Sequence, residues 1–337
     1  MKAAFLKKMG EVQIRDVAIR GPGDDEIRVK VDACGVCGTD VTSALDGKEE
    51  YQGFGHEIAG TVLELGPGVR NVSVGQKVVL ESGSACGRCA NCRNCRQELC
   101  TDVQSFWFTQ YFGFAEEMIT PAVTAIPYEG VSPQEACLSE PAGVAVDMHR
   151  LADIRIGDHV VVSGLGPIGL MALRLAKLSG AERIYGCARS HSTARIELAR
   201  RFGADEIIEI DKTPVEEYRF ERAPDRFMVS SPPRTLPAMI KVAAKGAVIS
   251  YIGIEYGKGA DITFDANEFH FKKIQLRASY ASPAMYTPMA LNHIVSGRID
   301  AAALISHTFP LAQIGKGLEV AAYDKAGAVK VIINPNA

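Results

Sequence analysis

The chain has 337 residues, more than one small hydrophobic core requires, and its length indicates about two domains. Apolar residues make up 47% and charged residues 23%, and the formal net charge is −3, so no basic surface favours nucleic acid or an anionic membrane. No apolar run approaches the roughly 18 residues of a membrane span, and residues 1–8 lack the apolar core of a signal peptide. We therefore expect a cytoplasmic protein with neither nucleic-acid nor membrane partners.

The first part of the chain, from residue 2 to about 126, predicts short strands broken by Gly, Pro and Asp. Residues 26–31 alternate polar and apolar side chains, which is the period of a half-buried strand, and 58–65 and 76–80 are similar. Turn sequences such as Gly66-Pro67-Gly68 lie between them. The pattern predicts an irregular all-β body.

Near residue 150 the pattern changes to alternating strands and helices. Residues 159–163 form a continuous apolar run, and 168–179 are rich in Ala, Leu and Met as a helix would be. Further strands are predicted at 183–187, 206–210, 226–230, 247–252 and 274–279. This alternation is typical of a parallel sheet covered on both faces. After it, 287–296 and 311–322 are predicted helices and 329–333 a strand, a tail that we expect to rejoin the first domain.

Five cysteines crowd the segment 86–100, too closely for a disulfide framework, and this clustering in a chain without a secretion signal indicates metal ligation in a reducing compartment. Four thiolates can close a tetrahedral zinc site that has no open position, which makes it structural. The predicted ligands are Cys86, Cys89, Cys92 and Cys100. Cys95 is a surplus sulfur that could replace one of them, and the alternative is a loop of free thiols.

A glycine-rich turn follows the apolar strand at 159–163 and opens the predicted helix. In Gly164-Leu165-Gly166-Pro167-Ile168-Gly169, the first glycine permits the turn, the second admits a pyrophosphate and the third lets helix and sheet pack closely. This setting favours dinucleotide binding over a glycine-rich loop without a role. Gly164, Gly166, Pro167, Ile168 and Gly169 are the predicted cofactor contacts.

The end of the next strand bears on which dinucleotide binds. NAD sites usually carry Asp or Glu there for the ribose hydroxyl, and this strand end has none. Arg189, Ser190 and Arg195 are instead placed to meet a 2′-phosphate. NADP is therefore the preferred cofactor, with NAD as the alternative if Arg189 is only a solvated surface residue.

A third set of candidates is dispersed along the first half of the chain. Cys37, His56, Glu57 and Glu140 are all competent zinc ligands, and a catalytic site needs about three of them plus an open position. Taken singly, each has a structural explanation: a buried small thiol, a core histidine or a surface acid. Spacing alone does not decide between these readings.

Taken together, the motifs Cys34-Gly35-Val36-Cys37-Gly38-Thr39-Asp40, Gly55-His56-Glu57, the cysteine cluster, Ser139-Glu140-Pro141 and the glycine loop resemble the zinc-dependent medium-chain dehydrogenases, the group of alcohol, sorbitol and threonine dehydrogenases. The resemblance covers essentially the whole chain in family order. It implies an α/β fold, with a doubly wound Rossmann sheet and a mostly-β GroES-like catalytic domain. The implied domains are 1–150, with a zinc lobe at 86–100, then 151–284 for the cofactor, and 285–337 returning to the catalytic domain.

The resemblance also implies roles for individual residues. Cys37, His56 and Glu140 would hold a catalytic Zn²⁺ beside the structural one, and Glu57 would either bind it too or hold water at it. Asp40 would orient His56, and Thr39 would pass the proton between substrate and solvent. Glu140 is typical of the polyol branch, where alcohol dehydrogenases carry Cys. The family often has His after Gly-Thr-Asp, but this chain has Val41 and Thr42, so its proton relay would be shorter.

The substrate is predicted as a small polar alcohol or ketone: a polyol, a sugar derivative or a cyclitol. The aromatic run 105–112, which holds the only tryptophan, is a candidate wall of the substrate site, and core packing is its other explanation. The alternatives are a simple secondary-alcohol or threonine-type dehydrogenase, a zinc-free quinone or enone reductase, and a non-catalytic relative. The resemblance further implies a homodimer or homotetramer formed through the sheet edge near 274–279.

Overall fold

The computed structural model describes residues 1–108, 112–255, 257–283 and 286–337. Within them the strands are β1 (Lys2–Lys8), β2 (Glu11–Asp16), β3 (Glu26–Gly35), β4 (Gln52–Gly53), β5 (Glu57–Leu65), β6 (Lys77–Leu80), β7 (Glu117–Pro121), β8 (Ala125–Pro127), β9 (His159–Ser163), β10 (Arg183–Ala188), β11 (Glu206–Glu209), β12 (Arg226–Val229), β13 (Val248–Tyr251), β14 (Gln275–Ala278), β15 (Ile305–Pro310) and β16 (Lys330–Asn334). The helices are α1 (Gly38–Asp46), α2 (Ala90–Arg93), α3 (Pro133–Ala136), α4 (Ser139–Ala152), α5 (Pro167–Leu178), α6 (Thr193–Phe202), α7 (Leu236–Val242), α8 (Ala266–Lys272), α9 (Thr287–Val295), α10 (Ala301–Leu304) and α11 (Ile314–Tyr323).

The chain divides into two compact units. The first comprises Met1–Gly143, Ala281–Asp324 and Ala328–Ala337, and the second comprises Val144–Tyr280 and Lys325–Gly327. The division at 143/144 falls within α4, a few residues before the expected boundary at 150, and the short segment 325–327 groups with the second unit.

The first unit is built on an irregular sheet of seven strands in the order β15-β16-β3-β5-β6-β8, with β7 pairing with β3. A smaller sheet has the order β2-β1-β4. In β3 the alternating side chains Ile27, Val29 and Val31 are fully buried, which confirms the period-2 prediction. They belong to the core of this unit, together with Ile58, Val78 and residues of the other strands.

The second unit is a parallel sheet of six strands in the order β11-β10-β9-β12-β13-β14. Counted from β9, this is the 3-2-1-4-5-6 order of a Rossmann sheet, as predicted. Every residue of the central strand β9 is buried, since helices cover both faces of such sheets. Its carboxyl end leads directly into the glycine loop before α5.

The prediction of an all-β first region is wrong, because this region contains helices α1 and α2. The backbone N–H of Cys37 donates to Asp40 Oδ2 over 2.9 Å, and this capping interaction starts α1. Helices α3 and α4 also lie between the two predicted regions, and the predicted helix 311–322 is a 3-10 turn at Leu311–Gln313 followed by α11. A helix that is started by a capping interaction need not show the apolar periodicity by which helices are predicted.

We found no helix that is long and apolar enough to span a bilayer among the described residues.

Candidate active site

Cys37 lies at the N-cap of α1, immediately after β3 ends. Asp40, in the first turn of the same helix, is buried and accepts the Cys37 N–H. The cap thus orders Cys37 and places Asp40 beneath it.

His56 reaches the same place from the residue before β5. It is buried, and its Nδ1 lies 4.0 Å from Asp40 Oδ1. A side chain at Gly55 would meet the Phe114 ring, whose Cδ2 lies 2.5 Å from the position of a Cβ, so the turn that delivers His56 requires glycine. Asp40 therefore lies beside His56, at a distance longer than a hydrogen bond.

The ligand atoms of Cys37, His56 and Glu57 all lie within 4.8 Å of one another. Glu140, in the first turn of α4, is not in that group, although its charge acts on His56, and Ser82 Oγ donates to its Oε1 over 3.4 Å. Burial raises the pKa of Glu140 to about 7. The structure thus assembles three of the predicted zinc ligands and leaves the fourth nearby.

The donor set fits zinc. Burial lowers the pKa of His56, but the Cys37 thiol, Asp40 and Glu140 outweigh it and raise that pKa well above its usual value. Among the described residues, His56 Nδ1 is buried without a hydrogen-bond partner. Zn²⁺ binds sulfur, imidazole and carboxylate donors, and it would balance the negative charge of this set.

Lys330 is a site residue that the sequence analysis missed. It forms an ion pair with Glu57, both side chains being at most 3% exposed, and its Nζ donates to Val36 O over 2.9 Å. Strands β16, β3 and β5 are neighbours, with Ile332 paired to Gly35 and Gly35 to Glu57, so the sheet brings the two charges together. The signal was a single lysine within an otherwise apolar strand.

Thr39 and Trp107 are exposed residues close to members of this group, Thr39 in sequence and Trp107 in space. Thr39 is in the first turn of α1, two residues after Cys37. The Trp107 ring lies 5.4 Å from the His56 ring, centre to centre, and is 47% exposed, whereas Phe106 beside it is fully buried. Core packing therefore explains the burial of Phe106 but not the position of Trp107. Residues 109–111 of the predicted substrate wall lie outside the described residues.

The cysteine lobe forms a second group, in which Cys86, Cys89, Cys92 and Cys100 place their sulfurs within 4.8 Å of one another. Backbone N–H groups lower the pKa of Cys89 to about 5. Exposed Cys95 is outside this group. The four sulfurs fit a closed tetrahedral zinc site.

In the second unit, the loop from β9 to α5 has the geometry of a phosphate-binding turn. Gly164 has φ +94°, and a Cβ at Gly169 would lie 1.9 Å from Gly164 O. A Cβ at Gly166 would meet nothing within 4 Å, so the backbone there is open to a ligand. No side chain caps α5, whose first residues are Pro167 and Ile168. The free N–H groups at that end can bind a pyrophosphate.

A carboxylate that the sequence analysis did not consider is hydrogen-bonded to the turn after β10. Asp211, after β11, accepts the Ser190 N–H over 2.7 Å and the Ser190 hydroxyl over 2.6 Å. Its pKa is lowered by these hydrogen bonds. Arg189 lies on the same turn as Ser190, and Arg195 lies in the first turn of α6. Because Asp211 follows a different strand, only strand pairing reveals it.

Two family models match the chain: the alcohol dehydrogenase GroES-like domain over residues 23–130 and the zinc-binding dehydrogenase over residues 167–296. Sorbitol dehydrogenase of Bacillus subtilis is 27% identical, covering 100% of this chain and 98% of that protein. L-threonine 3-dehydrogenase of Xanthomonas oryzae is 28% identical, with complete coverage of both.

Two solved structures are also similar over 99% of both chains. One is a zinc-binding dehydrogenase from Sinorhizobium meliloti bound to NADP, with TM-score 0.87 and 26% identity. The other is an alcohol dehydrogenase from Escherichia coli in complex with NADH, with TM-score 0.88 and 25% identity. With these matches and with the two sites described above, the chain belongs to the zinc-dependent medium-chain dehydrogenase family and is an oxidoreductase that acts on CH–OH groups.

Proposed function

We propose that the chain oxidises a secondary alcohol of a polyol, sugar derivative or cyclitol, or reduces the matching ketone, with NADP as the preferred cofactor and NAD as the alternative. The observation that carries the proposal is the group of half-buried Cys37 and buried His56 and Glu57, with Glu140 beside it. Its oxygen-rich donor set resembles the polyol branch. Sorbitol dehydrogenase among the relatives supports the same substrate class.

In this proposal Cys37, His56 and Glu140 hold the catalytic zinc, and Glu57 is either a further ligand or holds water there. Bound zinc supplies Lewis acidity to the substrate oxygen, and bound NADP supplies the hydride acceptor. Asp40 keeps the His56 ring in its binding orientation. Lys330 balances the charge of Glu57 when substrate enters.

The proton released from the substrate hydroxyl leaves through Thr39. Its side chain is exposed at the start of α1, so it can exchange a proton with solvent directly. Neither Val41 nor Thr42 offers an imidazole to extend this path, and the relay is correspondingly short.

The first unit is the catalytic domain, which contains the structural zinc lobe, and the second unit is the cofactor domain. Gly164, Gly166 and Gly169 at the start of α5 would hold the cofactor pyrophosphate. Arg189, Ser190 and Arg195 would hold its adenosine ribose. We also propose a cytoplasmic location, because closely spaced thiolates need a reducing compartment.

The test is nicotinamide absorbance of the zinc-loaded protein with polyols, cyclitols, amino sugars, threonine and simple secondary alcohols, each with NADP and NAD. Turnover confined to polyhydroxylated compounds supports the proposal. Turnover on threonine alone would favour the threonine-type alternative, which the Xanthomonas relative supports. Two zinc ions per chain with no dehydrogenation of any alcohol would instead favour a non-catalytic relative.

Trp107→Ala should raise KM for polyhydroxylated substrates about tenfold and leave kcat within a few-fold, because an exposed ring beside His56 can stack on the C–H face of a sugar. Trp107→Phe should keep most of the affinity. Tyr323→Ala, which removes an exposed ring on α11, is the control and should not change KM. An unchanged KM in Trp107→Ala would exclude Trp107 from the substrate wall.

For assembly we propose a homodimer or homotetramer in which β14 pairs with its copy. β14 is the edge strand of the parallel sheet, and Tyr280, just after it, is 75% exposed. A paired edge would cover backbone groups that otherwise invite aggregation. Light scattering of the protein as it elutes from a size-exclusion column measures the mass of the assembly.

A further inference from the structure

The short segment Lys325–Gly327 docks on the start of helix α6 in the second unit. Ala326 O accepts the Ala194 N–H over 3.0 Å and the Thr193 hydroxyl over 3.2 Å. The first N–H groups of a helix have no partner within the helix, so this carbonyl caps one of them. The docking uses the backbone of Ala326, which leaves the Lys325 side chain free for another role.

That docking gathers three cationic side chains around the turn from β10 to α6. Lys325 precedes Ala326, and Arg195 follows Ala194. Arg189 opens the turn, which is closed by the Ser192 N–H donating to Arg189 O over 3.0 Å. Burial and the charges of Arg195 and Arg189 lower the pKa of Lys325. In the part of the chain that the structure describes, neither Arg189 nor Lys325 forms an ion pair.

Asp211, a carboxylate at this turn, is already engaged, because it accepts the Ser190 N–H and the Ser190 hydroxyl. Arg189 and Lys325 carry positive charge here without an ion pair among the described residues, and a phosphate monoester carries roughly −1.5 to −2 at neutral pH. A phosphate monoester therefore matches this surface, whereas the bare ribose hydroxyls of NAD would leave the repulsion uncompensated.

We propose that Lys325 completes, with Arg189 and Arg195, the binding site for the 2′-phosphate of NADP, and that the docked segment 325–327 thereby determines the preference for NADP over NAD. The inference rests on the proposed function, since it assumes that this unit binds a nicotinamide dinucleotide. It adds a residue far from the strand end where such specificity is usually sought. A lysine and two arginines bind the phosphate oxygens by charge-assisted hydrogen bonds.

The test is the binding of NADPH and NADH, followed by nicotinamide fluorescence, to the full-length protein and to Lys325→Met. Losing one charge-assisted contact should weaken NADPH about 10- to 100-fold and leave NADH within about twofold. Lys325→Arg should retain most of the NADPH affinity. Adenosine 2′,5′-bisphosphate and 5′-AMP differ by the 2′-phosphate, so comparing how well each displaces NADPH isolates that group. Lys325→Met should weaken the binding of adenosine 2′,5′-bisphosphate and leave that of 5′-AMP unchanged.

Lys245→Met is the matched control, because Lys245 is exposed in the same unit before β13, at the other end of the strand from the cofactor loop. It should bind both cofactors as the parent does. Unchanged NADPH binding in Lys325→Met, or equal weakening of NADPH and NADH, would overturn the inference and leave the proposed function standing. A parent protein that binds neither cofactor would overturn the proposed function itself.

Discussion

Replacing Cys37 by serine should remove one of two zinc ions per chain and lower turnover by at least about 10³-fold. Cys37 is the sulfur donor of the group with His56 and Glu57, and a bound metal contributes several kcal/mol of charge stabilisation to the reacting oxygen. The fold should persist, because the Cys37 thiol is only partly buried and its backbone N–H still bonds Asp40. Metal analysis, steady-state kinetics and circular dichroism measure the three quantities.

The matched control is Cys95→Ser. Cys95 is exposed and outside both groups of candidate ligands, so this variant should keep both zinc ions and full turnover. If Cys37→Ser kept two zinc ions and the parent rate, the assignment of the catalytic metal to this group would be wrong. If Cys95→Ser lost a zinc ion instead, Cys95 would be a ligand of the lobe in place of one of the four predicted cysteines.

Replacing Lys330 by methionine should strongly destabilise the protein, although Lys330 is distant in sequence from every predicted ligand. Its ammonium faces the Glu57 carboxylate, and removing it leaves a buried, uncompensated charge. Such losses cost about 3–5 kcal/mol, or roughly 6–20 °C in the melting temperature of a unit of 150–250 residues such as the first one. Thermal unfolding of the zinc-loaded protein measures the shift.

A second substitution separates charge from packing. The double variant Lys330→Met with Glu57→Gln removes both charges and should recover most of the lost melting temperature, because the penalty comes from the unpaired partner. Lys8→Met breaks an exposed pair with Glu11 and should melt as the parent does. A parent-like melting temperature in Lys330→Met alone would mean that the pair contributes nothing net.

The candidate ligands were accessible to sequence analysis to different degrees. The four lobe cysteines lie within fifteen residues, so chain connectivity alone keeps them together. Cys37, His56 and Glu140 carried no such spacing and rested on the family resemblance. The structure groups the first two with Glu57, and Glu140 lies beside them. Helix α1, which positions Cys37 and Asp40, was missed because its signal is a cap and not a periodicity.

Features with local causes are predictable from the sequence. A run of buried apolar residues makes β9, alternation makes β3, and glycines at fixed spacing make the turn that opens α5. The strand predicted at 26–31 continues to Gly35, four residues further, whereas the other predicted strands end within one residue of the observed ends.

Contacts between groups that are distant in sequence arise only in the tertiary structure. Lys330 reaches Glu57 because β16, β3 and β5 are adjacent in one sheet. Asp211 reaches Ser190 through the pairing of β10 with β11. Ala326 reaches α6 by a hydrogen bond between residues more than a hundred positions apart. Such contacts depend on the summed packing of whole strands and helices, and no local pattern encodes them.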